Sequence, residues 1–234
     1  MKKFSFIGVF DKTDLIIYIA RMFSAMDKSV LFVDATIKQK ARYLAPALNI
    51  NETSYVTNFE GIEIAVGLYN ESDLKKCLGL PEGAVLNYDY IFIDMDDPRV
   101  FNQFGNLGEN NENFFVTSFD VYSVKKGMEM LATVQGMIHF TRIAFSKNMS
   151  SAEDEYLEYQ AVEKGIKLNP EQVYFPYDIG DLTIMIENQK LQKVKLKRMS
   201  KPFKQSLKYM TQRIGGEEIN PADINKTVKI LEKG

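Results

Sequence analysis

The chain has 234 residues, of which 45% are hydrophobic and 26% charged, and its formal net charge is −2. The length suits one large domain or two small ones, the composition is ordinary for a globular protein, and the net charge gives no global field that would favour nucleic acid or a membrane surface. The single cysteine excludes an internal disulfide, and together with the single histidine it leaves no set of zinc ligands. No segment reaches about 18 consecutive apolar residues, so we expect a cytoplasmic protein without a membrane span.

Strand-like and helix-like segments alternate along the first 80 residues. Short runs rich in β-branched and aromatic residues predict strands, and longer apolar stretches predict helices. In chain order the predicted elements are a buried strand at 3–8, a buried helix at 14–26, a buried strand at 29–34, a helix at 38–48, a strand pair or one bent strand at 55–66, and a helix at 72–78. This alternation predicts an α/β fold with a doubly wound, mostly parallel sheet flanked by helices.

The alternation continues as far as residue 214. Asp97 and Pro98 predict an N-cap followed by proline at the first helical position. The other predicted elements are a central strand at 88–94, a strand at 113–118, a helix at 120–136, a strand at 140–145, a helix capped by Ser150 or Ser151 that runs to Gly165, a short last strand at 172–175, and a final helix at 201–214. We therefore predict a single domain over residues 1–214.

Residues 215–234 are predicted to form a tail after the pair Gly215-Gly216. Ile224, Val228 and Leu231 share one stripe of a short amphipathic helix in this tail. The apolar area of the stripe is modest, so stable membrane binding would need a second signal or a dimer. We favour docking of this helix on the domain or on a partner.

The loop between the first strand and the first helix has the layout of a phosphate-binding loop. Gly8, Lys12 and Thr13 stand where such a loop uses glycine for close backbone approach, lysine for the outer phosphates and a hydroxyl for magnesium. Asp34 and Asp94 end two predicted strands, where an acid can hold magnesium or its water. The structural alternative is that Thr13 caps the helix, Lys12 is solvated or pairs with the preceding acid, and the two aspartates cap neighbouring turns.

Five motifs along the chain follow the order found in one ATPase family. They are Ile7-Gly8-Val9-Phe10-Asp11-Lys12-Thr13-Asp14, Asp34-Ala35-Thr36, Tyr90-Ile-Phe-Ile-Asp94-Met-Asp-Asp-Pro98, Arg142-Ile-Ala-Phe-Ser146-Lys147 and Tyr174-Phe-Pro176-Tyr177-Asp178. In this order they resemble the MinD/ParA group of deviant Walker-A ATPases, which have a P-loop NTPase-like, Rossmann-like three-layer fold. The group includes relatives of the TadZ/CpaE type, which place pilus and secretion machinery. The resemblance covers residues 1–214.

The resemblance implies roles for five residues. Gly8, Lys12 and Thr13 would contact ATP. Thr13 and Asp94 would hold Mg²⁺, and Asp34 would join Asp94 in catalysis. ATP and Mg²⁺ are therefore the cofactors that the chain would take if nucleotide binding is retained.

The departures from the family pattern affect four nucleotide functions. Val9 and Phe10 carry Cβ atoms where the backbone has to approach phosphate, and Asp11 places a carboxylate there, which repels a triphosphate. The other departures are Ile7 at the signature lysine, Thr36 at the second acid and Ser146 at the adenine-contacting asparagine. We predict a degenerate Walker A motif, no bound cofactor, and very weak or absent ATPase activity.

Residues 190–214 form a segment that we call the basic strip. It holds nine of the 29 basic residues and none of the 31 acidic ones, so the rest of the chain carries a net charge of −11. The strip can serve as a contact for DNA, anionic lipid or an acidic protein, or it can be a solvated surface. The candidate contact residues are Lys193, Lys195, Lys197, Arg198, Lys201 and Lys204.

The sequence leaves three functions open. The first is a pseudo-ATPase or weak ATPase scaffold that positions a bacterial pilus, secretion system or other envelope machine through protein contacts. The second is an active, divergent ATPase that works as a nucleotide-dependent dimer switch. The third is a ParA-like partition protein that binds DNA non-specifically through the basic strip. The first function predicts a homodimer that forms without ATP, and it leaves recruitment to the inner face of the membrane open.

Overall fold

The computed structural model describes residues 1–45, 52–81, 83–146 and 151–233. Its strands are β1 (Lys2–Ile7), β2 (Val30–Asp34), β3 (Tyr55–Phe59), β4 (Ile62–Val66), β5 (Tyr90–Met95), β6 (Glu112–Ser118), β7 (His139–Ser146) and β8 (Lys167–Pro176). Within the described residues they form one sheet in the order β3-β4-β2-β5-β1-β6-β7-β8. Neighbouring strands are parallel except for the antiparallel pair β3–β4. The predicted doubly wound α/β fold is confirmed.

Helices cover both faces of this sheet. They are α1 (Thr13–Ser24), α2 (Ala41–Leu44), α3 (Glu71–Cys77), α4 (Val121–Leu131), α5 (Ser151–Glu163), α6 (Ile179–Leu191), α7 (Lys201–Gly215) and α8 (Pro221–Lys233). Side chains of β5 alternate between the faces: Tyr90 and Phe92 join a core with α1, α7 and α8, whereas Ile91 and Ile93 join a core with α3, α4 and α5. The central strands are apolar on both sides because both faces are covered.

Several predicted bounds differ from the structure. The helix predicted at 38–48 is the four-residue α2, and residues 46–50 lie outside the described residues. Of the two alternatives for 55–66, the strand pair is correct. The helix predicted to run to 136 ends at Leu131. Asp97 caps the turn that starts at Pro98, as predicted, but that turn is a single 3₁₀ turn.

The largest differences lie in the last third of the chain. The last strand, predicted at 172–175, is the ten-residue β8, whose pairing with β7 shifts register between Phe140 and Arg142. Helix α6 was not predicted at all, although the Asp178 carboxylate accepts hydrogen bonds from the backbone N–H groups of Gly180 and Asp181 at its start. The predicted caps of α5 at Ser150 and Ser151 lie outside the side chains that the structure describes.

The tail helix packs on the domain. Ile224, Val228 and Leu231 are 3–4% exposed and belong to the core beneath α1 and α7. The backbone N–H of Leu196 also donates to the carbonyl of Leu231 over 2.9 Å. Among the described residues, no helix has the length and apolar character needed to cross a membrane.

Candidate functional site

The loop of residues 8–12 leaves β1 and enters α1 at the carboxyl end of the sheet. Strand β1 lies next to β5, and Asp94 of β5 is the register partner of Asp34 on β2. Parallel strands end at a common edge, and this edge is where such sheets bind ligands. The structure therefore brings the five predicted site residues, Gly8, Lys12, Thr13, Asp34 and Asp94, to one place.

Lys12 is turned into the protein. Its side chain is 2% exposed, and its Nζ lies 2.6 Å from Asp94 Oδ1 and donates to the carbonyl of Gly8 over 2.7 Å. Thr13 Oγ1 donates to the other carboxylate oxygen, Asp94 Oδ2, over 3.4 Å. The structural alternatives for these two residues are wrong, because Lys12 is neither solvated nor paired with Asp11 and the Thr13 side chain does not cap α1.

Asp11 supplies a negative charge at the start of α1. Its Oδ1 accepts a hydrogen bond from the backbone N–H of Thr13 over 3.2 Å, and its Oδ2 lies 2.8 Å from Lys40 Nζ. Lys40 also pairs with Asp14. Burial lowers the pKa of Lys40, but Asp14 and Asp11 outweigh that effect and raise it above its usual value. A helix N-terminus favours an anion, and here the anion is a side chain of the same chain.

Gly8 is required by packing. Its φ is +146°, a value that L side chains rarely adopt, and a Cβ at this position would lie 2.2 Å from the carbonyl oxygen of Val116. Its N–H donates to the carbonyl of Met95 over 3.1 Å. The glycine is thus explained by the contact of the loop with β6 and β5, without any ligand.

Phe10 fills the space beside the loop with an aromatic ring. Its ring centroid lies 5.0 Å from that of Phe145 and 6.1 Å from that of Tyr177. It lines both a cavity of about 250 Å³ over the loop and a second cavity of about 470 Å³ at the ends of β6 and β7. The loop cavity is smaller than the roughly 300–1,000 Å³ of most small-molecule sites.

Burial disfavours the charged forms of Asp94 and Asp34, the two acids beside Lys12. Burial raises the pKa of Asp94 to about 7; Lys12 opposes this effect, and the nearby Asp34 adds to it. Burial also raises the pKa of Asp34, against hydrogen bonds from Thr36 and from the backbone N–H of Ala41. Asp34 therefore caps the turn after β2, as the structural alternative proposed, whereas Asp94 binds Lys12 and Thr13.

The residues at the loop do not suit a nucleoside triphosphate with its metal. The ammonium group of Lys12 is held by Asp94, the backbone N–H of Thr13 is held by Asp11, and Phe10 stands between the two cavities. Within the part of the chain that the structure describes, no group of three or more His, Cys, Asp or Glu residues is placed to hold a metal ion. ATP and Mg²⁺ could bind only after several of these contacts are broken.

The basic strip divides into paired and unpaired residues. Arg198 forms an ion pair with Glu187, and Lys204 Nζ lies 2.6 Å from Glu232 Oε1. Over the described ranges, Lys193, Lys197 and Lys201 are exposed and have no ion pair, and Lys195 is half-buried. Of the six candidate contacts, four thus have no ion pair with any residue that the structure describes.

Two contacts at the loop were missed from the sequence. Gln189 of α6 donates to both carboxylate oxygens of Asp14, over 2.8 and 2.9 Å. The cluster of Phe10, Phe145 and Tyr177 joins residues that are far apart in the sequence. The polar cap at Asp178 was the one local signal for α6, and nothing local could have indicated the aromatic cluster.

Solved structures share this arrangement of strands and helices. The MinD protein in the MinC:MinD complex of Aquifex aeolicus matches with a TM-score of 0.59 and 12% identity, over 94% of this chain and 98% of that one. A ParA family ATPase from Chlorobium tepidum matches with a TM-score of 0.57 and 16% identity, over 89% and 97%. The chain has the fold of the MinD/ParA ATPases.

A third match is a MinD from Pyrococcus horikoshii solved with Mg-ADP. Its TM-score is 0.54 and its identity 16%, over 94% of this chain and 99% of that one. No protein-family model matches the sequence, and no curated protein matches it. At such identities the likeness concerns the fold, so the activity of this chain has to be argued from its own residues.

Proposed function

We propose that this chain is a MinD/ParA-type pseudo-ATPase that acts as a docking component of a bacterial envelope assembly, such as a pilus or secretion system. The observation that carries the proposal is the buried pair of Lys12 and Asp94, with 2.6 Å between Nζ and Oδ1. A nucleotide could contact Lys12 only by displacing Asp94, whose buried carboxylate would then need a new partner.

The neighbouring residues support the same function. Asp11 holds a negative charge where a phosphate would lie, and Lys40 neutralises that charge at 2.8 Å. An incoming triphosphate would meet a like charge and would have to compete for a lysine that is already paired. The loop is therefore stable without a ligand, which a permanently assembled scaffold needs and a nucleotide switch does not.

Without nucleotide binding, the function that we propose for this fold is binding to other protein chains. One of the similar structures is a complex of MinD with a second protein, MinC. On this chain, dimerisation would proceed without ATP because Ile7 stands at the position of the signature lysine, and sedimentation would be unchanged by ATP and Mg²⁺. The partner and the machine would be recognised by surfaces away from the loop.

Calorimetric titration of the full chain with ATP and Mg²⁺ tests this proposal. We expect no heat of binding and no change in Tm, whereas a ligand at about 100 times its Kd would stabilise the fold by about 2.7 kcal/mol. Asp11→Gly is the matched variant, because it removes the competing carboxylate and leaves Lys12 in place. Micromolar binding by the parent that disappears in Lys12→Ala would reject the pseudo-ATPase and favour the divergent, active dimer switch.

A second candidate function is non-specific DNA binding through the basic strip. The observation that favours it is the set of exposed lysines without ion pairs at 193, 197 and 201. Each phosphate contact would make the logarithm of the affinity fall with the logarithm of salt concentration, by a slope of about −0.9. DNA binding that loses this slope in a Lys193→Gln, Lys197→Gln, Lys201→Gln variant would support it, and absence of binding at low salt would end it.

A further inference from the structure

Helix α5 has an acidic outer surface that the fold leaves uncovered. Its inner side packs through Leu157 and Ala161 into the core of α3, α4 and α5. Its outer side combines negative charge with exposed apolar groups. We call this surface the acidic face, and its exposed residues are Glu155, Tyr156, Glu158, Tyr159, Val162 and Glu163.

The charge of the acidic face is not neutralised by the described chain. Helix α5 contains five acidic residues and no basic one, and of these Asp154 pairs with Arg142 at 3.0 Å. No ion pair reaches Glu155 or Glu158 from any described residue, and the next lysines along the chain, Lys164 and Lys167, come after the end of the helix. Tyr159 and Val162 are 64% and 78% exposed. Aromatic residues bordered by charge are typical of protein interfaces.

The basic strip has the opposite charge and a similar mixture of residues. Lys190, Lys193, Lys197 and Lys201 are exposed there, without ion pairs to other described residues. Leu191, which is 62% exposed, lies among them. The strip therefore combines exposed cations with an exposed apolar side chain, as the acidic face combines exposed anions with exposed apolar side chains.

The two surfaces lie on opposite faces of the sheet. Helix α5 packs with α3 and α4, whereas Val194, Leu196 and Met199 anchor the strip in the core of α1, α7 and α8. One molecule cannot bring its own two surfaces together without unfolding. We propose that the acidic face of one copy binds the basic strip of a second copy. The second copy is the occupant because every copy carries both complementary surfaces.

Such a contact is head-to-tail, because it joins two different patches. Each added copy presents a free acidic face at one end and a free basic strip at the other, so the assembly grows by one copy at a time unless the rotation between copies closes it into a ring. The contact involves no residue of the loop at 8–12, so growth is independent of nucleotide. It differs in this respect from a two-fold dimer, whose size is fixed.

Sedimentation velocity over a range of protein concentrations tests for this growth. At roughly 50 mM salt we expect the average mass to rise continuously with concentration, and at roughly 500 mM salt we expect a constant small mass, because salt screens exposed charges. Tyr159→Ser should weaken association about tenfold while its salt dependence remains, since it removes apolar contact and no charge. A mass that does not depend on concentration at low salt would overturn the proposal.

A charge-swap experiment identifies the two surfaces. Glu155→Lys with Glu158→Lys reverses the acidic face, and Lys193→Glu with Lys197→Glu reverses the strip. Each variant alone should associate with tenfold or more lower affinity, because its two surfaces then carry the same charge. An equimolar mixture should regain growth, because both contacts between one variant and the other join opposite charges.

The control variant is Lys76→Glu with Lys125→Glu. These exposed lysines lie on α3 and α4, and their reversal changes the net charge as much as reversal of the strip does. We expect growth like that of the parent. If either reversed variant alone still grows, or if the mixture does not grow, the proposal is overturned. The partner of α5 would then be a different molecule.

Discussion

Lysines in two regions of this molecule have opposite surroundings. At the loop, Lys12 is 2% exposed and held by Asp94, and Lys40 is held by Asp11 and Asp14. In the basic strip, Lys193 and Lys197 are exposed and have no ion pair with any described residue. In the first region the charges are paired within the chain, and in the second they are exposed to solvent.

This difference shows why a lysine in a motif position is a weak guide to function. The lysine of a phosphate-binding loop is useful only if its ammonium group can reach the phosphate. Here the acid that would hold the metal takes the ammonium group instead, over 2.6 Å. The exposed lysines of the basic strip lie outside the motif, and Lys193 lines a small cavity together with Asp14 at the start of α1.

Among the substitutions that test this difference, removal of Lys12 should have the largest effect on stability. Lys12→Met leaves Asp94 and Asp34 buried without their counter-ion, so we expect the free energy of unfolding to fall by about 3–5 kcal/mol. Urea denaturation followed by circular dichroism measures it. The matched change in the other region, Lys197→Met, should alter stability by less than about 0.5 kcal/mol. Equal effects of the two substitutions would break the comparison.

The pH dependence of stability should be the next largest effect. The pKa of Asp94 is about 7 in the folded chain and lower when unfolded, so between these values the folded state binds more protons. Stability then falls as pH rises, by about 2 kcal/mol between pH 5 and 7.5. Asp34 acts in the same direction.

Acids whose pKa is lowered in the folded chain, such as Asp89 and Asp120, change stability only below this window. Denaturation of Asp94→Asn at the same pH values is the control, and its curve should be flatter. A parent whose stability rises across the window would contradict the account of this site.

Truncation of Phe10 should have an intermediate effect. Phe10→Ala removes the ring contacts with Phe145 and Tyr177 and joins the two cavities. Because Phe10 is only half-buried, we expect a loss of about 1–2 kcal/mol, less than the value for a fully buried ring. Val121→Ala, at an exposed apolar position on α4, serves as the reference. An unchanged midpoint of denaturation would mean that the ring contacts of Phe10 do not stabilise the fold.

Loss of the outer ion pairs should have the smallest effect. Lys40 is 30% exposed, so Lys40→Met should cost about 1 kcal/mol or less, and the cost should shrink further at high salt. Thermal denaturation at two salt concentrations measures both quantities. A loss as large as that of Lys12→Met would place the main electrostatic contact of the loop at its surface.

The alternation of strands and helices and the mostly parallel sheet could be predicted because each strand carries its own signal. Val30–Asp34 and Tyr90–Met95 are apolar on both faces, which only a covered parallel sheet explains. Helix α6 could not be predicted with equal ease, because residues such as Ile184, Met185 and Ile186 are apolar around the helix and give no helical stripe.

The arrangement inside the loop depends on contacts that cross the fold. The direction of the Lys12 side chain is set by Asp94, which lies 82 positions away and meets it only because β1 and β5 are neighbours. The sequence could indicate which residues gather at the end of the sheet. It could not indicate that they would bind one another, because each side chain has several partners within reach.

The burial of α8 has a consequence for the synthesis of this chain. Ile224, Val228 and Leu231 complete the same core as Leu15 and Phe23, so that side of the sheet stays open until residue 231 has been made. The opposite core is complete once Leu168 has been made. One side can therefore close early, while the other leaves apolar and aromatic side chains uncovered until the last helix is made, and such surface is prone to aggregation in a nascent chain.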